Sequence, residues 1–70
     1  MRILFLGPEN KKIFDYISLD NTLYINEKKI FLNDLINNDI NFIISFGYRH
    51  LIEKSIIDVY KNNIINLHMS

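Results

Sequence analysis

Asn66 and His68, near the end of the 70-residue chain, are the residue types that acyl transfer requires. Two positions apart on a strand, they share one face. A histidine titrates near neutral pH and can move a proton on and off an attacking amine. An asparagine amide can hold the negative charge that develops on a carbonyl oxygen. The plainer alternative is an ordinary strand end, where both residue types are common. The chain has no cysteine to serve as a nucleophile. No serine lies in a G-x-S-x-G turn, so a covalent acyl-enzyme is not favoured. A metal is not expected either. His50 and His68 are the only imidazoles, without HExxH spacing or an obvious third ligand.

The second group of interest is Gly47-Tyr48-Arg49-His50-Leu51-Ile52. One reading makes His50 a polar helix cap, with Tyr48 and Arg49 on the surface. The other makes this loop the lining of a site for a flat aromatic ligand, with backbone groups at a helix N-terminus free to bond it. The first loop, Gly7-Pro8-Glu9-Asn10, has one glycine and a proline that offers no N–H. The GxGxxG and GxxxxGK[ST] patterns are absent, which argues against a nicotinamide or flavin site of the usual kind. A strand-to-helix turn is the simpler reading.

The elements that must position these residues follow from periodicity. Arg2–Leu6 is an apolar run without alternation, as in a strand covered on both faces. Pro8 suits the first position of a helix and Glu9 its positive end. Ile13, Phe14 and Ile17 give that helix its apolar stripe, and it ends in the polar cluster Ser18–Asn21. Thr22–Ile25 is a second short strand. The following Asn26–Lys29 either turns a hairpin into Ile30-Phe31 or leads as a loop to a helix over Leu32–Asn37. The helix is preferred, because Leu32, Leu35 and Ile36 fit one face. Phe42–Phe46 is a third strand, bounded by Gly47. A helix over His50–Lys61 carries Leu51, Ile52, Ile56, Val59 and Tyr60 as an apolar stripe. Ile64–Leu67 is the fourth strand. The pattern βαβαβαβ predicts an α/β fold with a mainly parallel sheet and right-handed crossovers. Such sheets present ligands at the carboxyl ends of their strands, where the Gly47–Ile52 loop and the Asn66/His68 pair both fall.

Bulk properties narrow the function classes. The chain is 49% hydrophobic with a formal net charge of zero. That balance is too apolar for disorder and offers no long-range attraction for nucleic acid or an anionic membrane. No apolar stretch approaches the roughly 20 residues of a membrane helix, and no signal peptide is evident, so a cytoplasmic protein is expected. Seventy residues make one small domain or part of a larger one.

The wording FGYRHLI, followed a helix later by INLHMS, and the opening MRILFLGP resemble the formyltransferases that use 10-formyltetrahydrofolate. That family includes enzymes acting on methionyl-tRNA and on amino sugars of nucleotide-linked sugars, and YRHLI is closest to the amino-sugar branch. The resemblance implies a Rossmann-like fold and a small-molecule acceptor, an amino-sugar nucleotide. It implies that Asn66 and His68 are catalytic, His68 as general acid/base and Asn66 as oxyanion holder. It also implies that His50, Leu51 and Ile52 line the pterin pocket of the folate, largely through backbone groups. The family pattern continues past Ser70 with a Leu-Pro, an Arg-Gly segment and a catalytic Asp. Residues 1–70 are therefore expected to be the N-terminal part of such a catalytic domain, a partial sheet truncated after its fourth strand and inactive alone. The alternative is a small α/β interaction or nucleotide-binding module without catalysis, self-associating through an unpaired sheet edge.

Overall fold

The structure is a computed structural model that describes residues 2–15 and 22–67. The elements alternate in chain order: β1 (Ile3–Leu6), α1 (Lys11–Phe14), β2 (Thr22–Ile25), α2 (Leu32–Asn37), β3 (Phe42–Phe46), α3 (Lys54–Val59) and β4 (Ile64–Leu67). Every strand pairing is parallel, and the sheet order is β2-β1-β3-β4. This is the parallel α/β sheet that the alternation of apolar runs predicts, in the Rossmann-like form that the resemblance implies.

The central strand is the most apolar one, as a parallel sheet demands. Leu4, Phe5 and Leu6 are fully buried. Each such side chain contributes about 1.5–3 kcal/mol relative to exposure. Register partners in a parallel sheet share a face, so Leu4 lies alongside Leu23 and Ile43, while Leu6 lies alongside Ile25 and Ser45. Onto this face pack Leu35 of α2, Ile56 of α3 and Tyr60 just after it, with Ile30 and Ile40 from the connecting segments. The Tyr60 hydroxyl donates to the Ile40 carbonyl at 2.9 Å, so its burial leaves no orphaned polar atom. The opposite face is held by an aromatic trio. Phe5 meets Phe14 of α1 edge-on at 4.9 Å and stacks on Tyr24 at 6.1 Å. Further along this face, Ile65 and Leu67 of β4 remain exposed.

Two helix starts differ from expectation. Pro8 does not open α1; Asn10 caps it, its side chain accepting the Ile13 N–H at 3.2 Å. That bond satisfies a donor that the first helical turn would otherwise leave free, which outweighs the conformational preference of proline. Ile17 and the helix end at 18–21 lie outside the described residues. The expected helix over His50–Lys61 is shorter, Lys54–Val59, and residues 47–53 are loop. Its five-residue stripe shrinks accordingly. Ile56 and Tyr60 are buried and Ile52 half-buried, but Val59 is exposed and Leu51 is 86% exposed. The hairpin alternative for residues 26–31 does not occur; they form the loop into α2, with Ile30 buried beneath it.

Among the described residues no helix is long and apolar enough to cross a membrane.

Candidate functional site

The carboxyl ends of β3 and β4 open on one recess. β1 ends at Gly7, which is buried, donates its N–H to the Ile25 carbonyl at 3.0 Å and holds φ +122°. A side chain there would land on the Phe46 carbonyl oxygen, so only glycine lets the turn after β1 pass beneath the end of β3. Gly47, at φ +72°, then bends the chain from β3 into the loop.

The recess has a volume of about 590 Å³, within the range of small-molecule sites. Ser45, Ile64 and Asn66 line it from the sheet, Ile57 from α3, and Tyr48, His50, Leu51 and Ile52 from the loop. Asn66 is therefore brought into the same recess as His50, Leu51 and Ile52, across a single strand spacing from β3. His68 lies outside the described residues. Arg49 does not line the recess.

His50 is not at a helix N-terminus, because Glu53 is the cap residue of α3. Its ring serves the loop instead. His50 Nε2 bonds the Glu27 carbonyl at 2.7 Å, and the neighbouring Tyr48 hydroxyl donates to the Lys28 carbonyl at 2.7 Å. The two rings lie 5.4 Å apart. Burial pushes the Tyr48 phenol above its usual pKa, opposed in part by a backbone hydrogen bond at Ile30. An exposed ion pair, Lys29 to Glu53 at 3.5 Å, spans the same two loops. Among the described residues, the backbone of residues 49–52 forms no backbone–backbone hydrogen bond. The backbone donors and acceptors of residues 50–52 thus rim a mostly apolar recess, the arrangement of a small-molecule site.

Sequence reasoning singled out neither Ile57 nor the more telling site residue, Ser45. It is 3% exposed and aligned with Asn66 across β3 and β4. Its signal was there: a lone hydroxyl in the run Phe42-Ile43-Ile44-Ser45-Phe46, two residues before the loop. Ile57 carried no signal, since it falls off the stripe that periodicity selects. Among the described residues no three His, Cys, Asp or Glu side chains gather as metal ligands would.

A parallel sheet with a ligand-sized recess at the carboxyl ends of β3 and β4 defines a Rossmann-like fold. Within that class the chain is a formyltransferase homologue. It matches the crystal structure of the formyltransferase PseJ from Anoxybacillus kamchatkensis, in complex with UDP-4,6-dideoxy-4-formamido-L-AltNAc and tetrahydrofolate, with a TM-score of 0.78 and 37% sequence identity. The match covers all of this chain and 38% of that one, so the chain spans well under half the length of its homologue. No protein-family model matches the chain.

Proposed function

We propose that the protein serves folate-dependent formyl transfer, from 10-formyltetrahydrofolate to the amine of a nucleotide-linked amino sugar. One observation carries this reading: His50, Leu51 and Ile52 share a recess with Asn66 in a chain 37% identical to a formyltransferase complexed with tetrahydrofolate and a UDP-linked formamido sugar. The backbone of residues 50–52 would hold the pterin edge, with Ile52 and Ile64 against its faces. The folate, when bound, supplies the formyl group. The Asn66 amide donates to the formyl oxygen as negative charge builds on it. Loss of one such donor typically lowers turnover about 10²–10³-fold. His68 takes the proton from the acceptor amine as its new C–N bond forms, and returns it to the nitrogen that departs.

Titration of the ¹⁵N-labelled chain with tetrahydrofolate tests the cofactor half of this reading. Backbone amides of residues 50–52 and the Asn66 side-chain amide should shift together, while those of α2 stay in place. Saturating tetrahydrofolate with no shift at these positions would remove the folate assignment.

A second reading rests on β4, which ends the sheet order and exposes Ile65 and Leu67. Such an edge can template pairing with a second copy. Sedimentation over a range of concentrations should then show a dimer, and a monomer throughout would dismiss it.

A further inference from the structure

The strand order places β1 between β2 and β3, so the loops leaving β2 and β3 start about two strand spacings apart, roughly 10 Å. They nevertheless meet at three points: Tyr48 hydroxyl to Lys28 carbonyl, His50 Nε2 to Glu27 carbonyl, and Lys29 to Glu53. We infer that Tyr48 and His50 are positioning residues, fastening the recess loop to the carbonyls of residues 27 and 28 so that the β2–α2 loop sets the shape of the ligand site. The identity of the ligand rests on the folate reading above.

The chemistry of the two bonds supports this role. A carbonyl oxygen only accepts, so His50 must carry a proton on Nε2. In the neutral ring Nδ1 is then an acceptor. The Tyr48 phenol, protonated at neutral pH, is likewise a donor to a carbonyl. Both side chains therefore spend a polar group on the neighbouring loop. Within the loop, the backbone groups of residues 49–52 make no backbone–backbone bond among the described residues. Loops held by few contacts are the first parts of a fold to open, and two side-chain bonds plus an ion pair counter that here. Residues 26–29 thus act on the recess through Tyr48 and His50, although none of the four lines it.

The test compares the chain with its Tyr48→Phe, His50→Ala and His50→Gln variants, using tetrahydrofolate as the probe and NMR as the readout. Tyr48→Phe and His50→Ala should each weaken tetrahydrofolate about fivefold, the loss of one neutral hydrogen bond. Amides of residues 26–29 should shift in both. His50→Gln, whose amide N–H can serve the same carbonyl, should recover part of the affinity. A general loss of stability would not produce that rescue. Equal affinity in all variants, with residues 26–29 unmoved, would overturn the positioning role and leave the folate site standing. If the parent chain fails to bind tetrahydrofolate, the folate reading falls. The tether is then judged without ligand, by the imidazole ¹⁵N spectrum and by amide exchange. A neutral His50 protonated at Nδ1, or exchange at residues 26–29 unchanged by Tyr48→Phe, would overturn it.

Discussion

Replacing Gly7 by alanine should unfold most of the protein. Two costs combine at this position. The backbone φ of +122° is one that residues with a side chain rarely adopt, at about 1–3 kcal/mol. The added methyl would also strike the Phe46 carbonyl oxygen and lie 2.8 Å from the Phe46 carbonyl carbon. Both are backbone atoms at the end of β3, with no rotamer through which to retreat. Relief requires the carboxyl ends of β1 and β3 to part, where Leu6 and Ser45 are paired. The total should exceed about 3 kcal/mol, against the roughly 3–5 kcal/mol that a core of this size supplies. Gly47→Ala is the matched comparison. Its φ of +72° costs an alanine about 1–2 kcal/mol. The nearest atom to its methyl is Pro8 Cδ at 3.1 Å, the edge of a ring that can shift. Urea unfolding followed by far-UV circular dichroism should find Gly47→Ala folded with a lowered midpoint and Gly7→Ala largely unfolded without urea. A Gly7→Ala midpoint at or above that of Gly47→Ala would refute the reasoning.

Other perturbations read different parts of the structure. Tyr60→Phe keeps the ring but strands the Ile40 carbonyl, and should cost about 1–3 kcal/mol by urea unfolding; an unchanged midpoint would show that water replaces the bond. Burial raises the pKa of both Tyr48 and Tyr60, so the folded chain keeps these protons at a pH where the unfolded chain has lost them. Their contribution is complete below the ordinary tyrosine value of about 10 and is lost as pH rises through the higher folded values. Midpoints measured from pH 8 to 11 should therefore fall at the alkaline end, less steeply in Tyr60→Phe, and parallel curves would contradict the assignment. Asn66→Ala, at an exposed position, should leave the urea midpoint within about 0.5 kcal/mol. In a complete formyltransferase carrying these residues, the same change should lower the rate of formyl transfer to a UDP-linked amino sugar about 10²–10³-fold; an undiminished rate would take Asn66 out of the chemistry.

The parts of the fold that were readable in advance are those set by local pattern. β2, β3, β4 and α2 fall on the residues that alternation and helical spacing select, because each is a short apolar run between polar breakers. The two errors have different physical origins. The fixed φ of Pro8 suits a helix start, but the side-chain bond of Asn10 to the Ile13 N–H sets the start two residues later. The late start of α3 was not locally visible. Leu51 and Ile52 fit a helical stripe that starts at His50, and what holds this segment out of the helix is hydrogen bonding of Tyr48 and His50 to carbonyls 20 and 23 positions earlier. No window of periodicity reaches that far. The same limit applies to the site. The two wordings around His50 and Asn66 could be read, and topology placed them at one edge. That the His50 ring bonds a distant carbonyl required the structure.

The position of β1 in the middle of the sheet has a kinetic consequence. During synthesis β1 emerges before the other three strands, and its three wholly buried side chains need cover immediately. Its neighbour β2 follows within about twenty residues, but β3 does not. The bonds that bring β1 and β3 together, Arg2 N–H to the Asn41 side chain and Asn41 N–H to the Arg2 carbonyl, join residues 39 apart. Until that much chain has left the ribosome, one side of β1 is an unpaired apolar strand. Pairings of such long sequence separation are slow, because the entropy of closing the loop is lost before any contact rewards it. The nascent chain is therefore most exposed to aggregation in the interval between the completion of β2 and the arrival of β3, and chaperone contact should concentrate there.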